Sequence, residues 1–168
     1  MFTEQTKYEA LVRAYAPDLY RYACWLCRSP AVAEDLVQET LLRAWKNLHQ
    51  LKDAKAARGW LLQILRNENA RRFERKQFDY ADTEQDLLPA AESFDPEISL
   101  AADRLEQKIL ALPEQYREAL TLQLLFGMTG DEIAEVTQTN LNTVNTRLFR
   151  ARMLLRQQLE SAAGAQHG

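Results

Sequence analysis

The stretch VAEDLVQETLLRAW, residues 32–45, decides how this chain is built. Its apolar residues Val32, Leu36, Val37, Leu41, Ala44 and Trp45 recur at the three- and four-residue spacing that lines one face of an α-helix. The same winding sets Asp35, Gln38 and Glu39 together on another face. Asp35 and Glu39 lie four apart, and like charges at that spacing weaken an isolated helix by about 0.2–0.5 kcal/mol. Folding does not require that pair. A solvated acidic face would account for it, and so would a surface that meets a basic partner.

Outward from this helix the same periodicity continues. Upstream, Tyr8, Leu11, Val12 and Tyr15 predict a helix over 6–15. After Pro17, a second helix carries Leu19, Tyr22, Ala23 and Leu26 and is closed by RSPA at 28–31. Downstream, NLHQLKDAKAARG (47–59) is polar, small and ends in Gly, which reads as a loop. A long helix follows from Trp60 with Leu61, Ile64 and Leu65 inward. Four such helices enclose one small core. No run of alternating β-branched residues occurs, so the expected class is all-α.

Residues 79–103, DYADTEQDLLPAAESFDPEISLAAD, lose the periodicity and hold Pro89 and Pro96. An acidic, sparsely apolar stretch of this kind reads as a flexible linker, on which Leu87, Leu88 and Phe94 are the residues able to dock. Helical spacing resumes at Leu105. Pro113 suits a first helical turn, where its missing N–H costs nothing. Gly127 sits where a glycine would end that helix, and Thr129 with Glu132 forms a capping box for the next. A short helix (131–136), a polar turn (137–139) and a longer helix then follow the grammar of a helix-turn-helix. The tail SAAGAQHG (161–168) reads as frayed.

Charge is distributed unevenly over the 168 residues. The net charge is −3, yet residues 1–78 carry 14 Lys/Arg against 9 Asp/Glu. Residues 79–106 hold only Arg104 against nine acids, and 107–168 balance at six of each. Such blocks point to a segmented chain with a polyanionic partner for some segments. The N-terminus shows no basic start followed by an apolar run, and no uncharged run approaches the roughly 18 residues that span a bilayer. A cytoplasmic location is expected.

Cys24 and Cys27, the only cysteines, stand in YACWLC. On a helix they read as small apolar packing residues, with a thiol switch as the alternative. Neither His49 nor His167 lies at a zinc-finger spacing from them, so no metal site is expected. Nor is there a Gly-rich phosphate loop or an activated nucleophile. No catalytic residue, cofactor or small-molecule substrate is expected, and the chain does not read as an enzyme.

Two basic surfaces remain. With Val144, Leu148, Ala151 and Leu155 inward, the last long helix offers Asn145, Thr146, Phe149, Arg150 and Arg152 outward. Residues 143–156 hold four Arg and no acid, a face suited to base edges and phosphates. The helix from Trp60 ends in Arg66, Arg71, Arg72, Arg75 and Lys76 interleaved with Asn67, Asn69, Phe73 and Phe78. Cations with aromatics suit single-stranded nucleic acid, although such helix ends are also commonly just solvated.

Taken in order, AEDLVQETLLRAW (33–45), WLLQILRNENARRFERK (60–76), LPEQYREALTLQLLFGMTGDEIAEV (112–136) and TVNTRLFRARMLL (143–155) resemble a bacterial sigma factor of the extracytoplasmic-function group of the sigma-70 family. The resemblance covers nearly the whole chain. It implies two small helical domains: a four-helix region 2 over 1–78 and a helix-turn-helix region 4 over 106–162. An acidic flexible linker (79–105) joins them and a tail (163–168) follows. The implied partners are core RNA polymerase, through its β′ coiled coil and β flap, promoter DNA, and an anti-sigma factor that is often membrane-bound. Asp35, Gln38, Glu39 and Leu42 would bind the polymerase. Arg66, Asn67, Arg71, Arg72 and Arg75 would recognise and melt the −10 element, with Asn67 near a flipped-out base and Trp60 in the core beneath. Flipping a base costs a few kcal/mol, which a preformed pocket and stacking must offset. Asn145, Thr146, Arg147, Phe149 and Arg150 would contact the −35 element, while the linker would follow the RNA path. The implied activity is promoter-specific initiation in a stress or envelope response.

The chain departs from the family where GTV followed by a basic residue and Ser becomes NTVNT (142–146), and where KAARGWL (55–61) lacks an aromatic before the Trp. Asn pairs bidentately with adenine and Arg with guanine, so Asn145 shifts the expected −35 preference. The negative net charge suits a component that depends on polymerase rather than a self-sufficient DNA binder. Other readings of the same residues are a two-domain helix-turn-helix regulator, an all-helical adaptor for proteins, and a redox or zinc sensor built on Cys24 and Cys27.

Overall fold

A computed structural model describes residues 3–80 and 100–165, with side chains over 3–75 and 104–164. Leu87, Leu88, Phe94 and most of the expected linker, and the side chains of Lys76 and Phe78, lie outside these residues. The chain divides into two compact units, Met1–Ser93 and Phe94–Gly168. Among the described residues there is no strand, and both units are helical.

The first unit is built on α1 (Glu4–Cys27), α2 (Pro30–Lys46) and α3 (Ala57–Tyr80), which all pack on one another. The two helices expected on either side of Pro17 are one, so three long helices stand where four were expected. A proline inside a helix forfeits one backbone hydrogen bond and crowds the carbonyl four residues back. Pro17 is exposed, however, and the stripe Tyr8, Val12, Tyr15, Leu19, Tyr22, Leu26 passes through it without a break in phase. Burial of Leu19, Tyr22 and Ala23 just beyond it holds the helix together. α1 opens on Thr3, whose hydroxyl accepts from the Thr6 amide at 3.2 Å, and closes at Arg28 with φ 53°. Ser29 and Pro30 then start α2, with the Ser29 hydroxyl accepting from the Val32 amide.

The α2 stripe is shifted slightly from expectation. Ala33, Leu36, Val37, Thr40 and Ala44 are buried, and the Thr40 hydroxyl donates to the Leu36 carbonyl at 2.7 Å. Trp45, expected inward, is 44% exposed and meets the Tyr8 ring edge-on at 5.0 Å between centroids. The expected loop is not featureless either. It contains two 3-10 turns, Leu48–Gln50 and Ala54–Ala56, and α3 starts at Ala57 rather than Trp60. Leu48 and Leu51 are buried and close the end of the core. Along α3, Ala57, Leu61, Leu62 and Leu65 are buried, while Trp60 is only half-buried.

The second unit comprises α4 (Leu100–Leu110), α5 (Glu114–Leu124), α6 (Gly130–Thr137) and α7 (Leu141–Ala165). α4 begins five residues ahead of the expected Leu105. α7 continues into the stretch read as a tail, where Ser161, Ala162 and Ala163 cost a helix little. Pro113 caps α5 from outside its first turn, and Gly127, at φ +60°, lets Met128 return its amide to the Leu122 carbonyl at 3.2 Å. Leu120, Leu122, Phe126, Met128, Ile133, Val136, Val144, Leu148 and Ala151 form the core between α5, α6 and α7.

The Thr129 hydroxyl accepts from the Glu132 amide at 3.2 Å and donates to the Glu132 carboxylate at 3.2 Å. Thr129→Ala should therefore destabilise this unit by about 1 kcal/mol, read as a lower midpoint in thermal unfolding. At the other end, Gln138 is left-handed (φ 56°, ψ 43°) and the Thr139 amide bonds the Ala134 carbonyl at 3.0 Å. The Asn140 side chain then accepts from the Thr143 amide at 2.8 Å and starts α7. The Gln138 and Asn140 caps close the turn between α6 and α7.

Candidate functional site

Two separate surfaces carry the residues singled out from the sequence. In the first unit, α2 and α3 bound an open groove of about 330 Å³. Asp35, Gln38, Glu39 and Leu42 line it from α2, and Arg71, Arg72 and Arg75 from α3, with Leu36 and Glu68 also on its lining. All four α2 residues named from the sequence are thus brought together, and all four are exposed. Leu42, one turn beyond Glu39 on α2, is an apolar side chain left 60% exposed.

The five α3 residues are not brought together. Arg71, Arg72 and Arg75 share the groove, and the Arg72 guanidinium also donates to the Val32 carbonyl at 3.5 Å. Asn67 lies about a quarter turn away and Arg66 on the other side of α3, at about 100° per residue. Both are half-buried.

Sequence reasoning missed Glu68. Its carboxylate is only 4% exposed and pairs with Arg43 of α2 and with Arg71 of α3, the latter at 2.9 Å. A signal was there to be read. Leu61, Leu65 and Glu68 follow four- and three-residue steps, which puts an acid on the apolar stripe, and a buried carboxylate demands a cation.

In the second unit, Asn145, Thr146, Phe149 and Arg150 are exposed on the first turns of α7, and Arg147 is half-buried. Phe149 is 64% exposed. The Thr146 hydroxyl donates to the Asn142 carbonyl at 2.9 Å, which leaves it only acceptor capacity towards a ligand. Arg150 reaches the Tyr116 hydroxyl of α5 at 3.5 Å, and Arg152 is bonded to Gln123 of the same helix. The surface is polar, cationic and set on a rigid helix.

The cysteines end α1, both half-buried. Cys27 donates to the Ala23 carbonyl, and burial is the main influence pushing the Cys24 thiol above its ordinary value. A raised thiol pKa leaves less reactive thiolate near neutrality. Among the described residues no group of three or more His, Cys, Asp or Glu is placed to hold a metal, and no helix is long and apolar enough to cross a membrane.

Comparison with known proteins converges on one family. The sequence matches Sigma-70 region 2 over residues 11–79 and Sigma-70 region 4 over residues 102–155. It is 35% identical to the ECF RNA polymerase sigma factor SigL of Mycobacterium tuberculosis, covering 90% of this chain and 88% of that one. The chain belongs to the ECF sigma factors of the sigma-70 family. The ECF sigma factor SigW of Bacillus subtilis is 29% identical over 93% of this chain and 90% of its own. Among solved structures, the sigma factor RpoE of Bartonella quintana, in complex with the anti-sigma factor NepR, superposes with a TM-score of 0.78. It is 25% identical and covers 92% of this chain and 97% of its own. This ECF sigma factor is therefore an alternative sigma factor, a transcription initiation factor and not an enzyme, which directs RNA polymerase to promoters.

Proposed function

We propose that the two surfaces divide the work of this sigma factor. Residues 1–78 act as region 2, 79–105 as the connecting linker, and 106–162 as region 4, with 163–168 as a tail. The acidic, leucine-centred face of Asp35, Gln38, Glu39 and Leu42 docks on the β′ coiled coil of core RNA polymerase. Arg71, Arg72 and Arg75 of α3, with Asn67 at their edge, engage the −10 element as it opens, while Arg66, on the other side of α3, would reach the DNA apart from them. Asn145, Thr146, Arg147, Phe149 and Arg150 of α7 read the −35 element, and the β flap is the polymerase partner of region 4.

The observation that carries this reading is the α2–α3 groove. It presents an acidic wall on α2 opposite a cationic wall on α3, which suits a protein that meets both polymerase and DNA. The protein works in the cytoplasm, where both partners are. An anti-sigma factor, membrane-bound in some arrangements, holds it in check and releases it in a stress or envelope response. The relative solved with NepR supports that partner class.

The test is to mix the protein with sigma-free core polymerase and a genomic promoter library. Initiation should occur at one sequence class, and the chain alone should give no tight promoter-specific shift. Absence of initiation would defeat the reading.

A further inference from the structure

Glu68 lines the α2–α3 groove but has no role in either surface as proposed, yet its buried carboxylate pairs with side chains of both helices. It projects from α3 beneath the groove, 4% exposed, and meets Arg43 of α2 and Arg71 of α3. The Arg43 and Arg71 side chains are 41% and 47% exposed, so both stay open to solvent while paired with the carboxylate. Arg43 follows Glu39 by one helical turn, on the polymerase-facing side of α2. Arg71 belongs to the cationic wall.

We propose that Glu68 is a positioning residue for promoter opening, which sets Arg71 in register with the polymerase-docking face. The proposal rests on the −10 role assigned above to Arg71. A carboxylate out of water needs charged partners, and a guanidinium so anchored loses most of its rotamer freedom. Arg71 then arrives at the DNA strand already oriented, without the ordering cost that a freely rotating arginine incurs. The Arg43 arm ties the same carboxylate to α2, so docking α2 on polymerase also fixes where Arg71 stands.

Stability alone predicts something different. Removing one partner of an ion pair destabilises a fold when the other charge is left buried, but Arg43 and Arg71 are 41% and 47% exposed and stay solvated without the carboxylate. Glu68→Met, beside buried Leu65, should therefore keep the thermal midpoint and the affinity for core polymerase. Glu68→Gln keeps the shape and removes the charge. Each variant, as full chain assembled into holoenzyme on a promoter recovered from the library, should open that promoter about tenfold more slowly, the scale of one lost charge-assisted contact. Opening is read as permanganate reactivity of unpaired thymines.

Arg71→Ala should show a similar defect, and Glu68→Met combined with Arg71→Ala should be no worse than either alone. Normal opening by a folded Glu68→Met chain while Arg71→Ala is defective would overturn the proposal, leaving Glu68 as a structural ion pair. Multiplied defects in the double variant would overturn it as well, because Glu68 would then act other than through Arg71. Normal opening by Arg71→Ala would overturn the proposal together with the −10 assignment of that residue.

Discussion

Replacing Asp35 and Glu39 by lysine should abolish binding to core RNA polymerase, lowering affinity by about a hundredfold or more. Both carboxylates are exposed on one face of α2, one turn apart, with Leu42 60% exposed beyond them. Among the described residues neither makes an ion pair, and exposed substitutions of this kind usually change stability by less than about 0.5 kcal/mol. The groove adds one complication. New lysines would face Arg71, Arg72 and Arg75 on the opposite wall, so repulsion within the protein could be confused with lost docking. Asp35→Asn with Glu39→Gln separates the two, because it removes the attraction and adds no repulsion. That variant should bind core about tenfold more weakly at moderate salt, with unchanged helicity by circular dichroism. Unchanged affinity in both variants would remove this face from the polymerase interface.

The second large effect should come from the first turns of α7. Asn145→Ala should relax discrimination at one position of the −35 element, by about 1–3 kcal/mol in the ratio of best to wrong base. Asn145 has an exposed amide on a helix held by the Asn140 cap and by the core residues Val144 and Leu148, so on the proposed reading the side chain would meet DNA from a fixed base. Arg150→Ala should act differently. Its guanidinium leans towards the Tyr116 hydroxyl at the edge of the surface, a place suited to phosphate. The loss should weaken holoenzyme binding to all promoter sequences alike and reduce the salt dependence by about one counterion. The check is binding to a set of −35 variants at several salt concentrations. An unchanged base preference in Asn145→Ala would refute the direct reading role.

Much of the fold was legible because helical burial repeats in sequence. The stripe from Tyr8 through Leu19 to Leu26 even states that α1 is one helix, since its phase is preserved across Pro17. Reading the proline as a break gave local backbone cost more weight than burial on both sides of it. Leu48 and Leu51 were lost in a polar stretch for the opposite reason: two isolated leucines have no period, yet both are buried once the helices converge. Trp45 shows the limit of the stripe, because its large ring lies at the margin of α2, 44% exposed with Tyr8 edge-on against it.

The surfaces divide in the same way. Which residues are charged, and on which face of their own helix, is a property of local winding. The sequence by itself therefore determined an all-helical chain, the helix-turn-helix with its Thr129 capping box, and the grouping of Asp35, Gln38 and Glu39. That Asp35 and Glu39 share a groove with Arg71, Arg72 and Arg75 depends on how α2 crosses α3, and winding alone does not encode a crossing. The same crossing joins Glu68 to Arg43, 25 positions earlier in the chain. Only the tertiary structure decided those pairings, because interactions between helices depend on distances in space that periodicity along one helix does not contain.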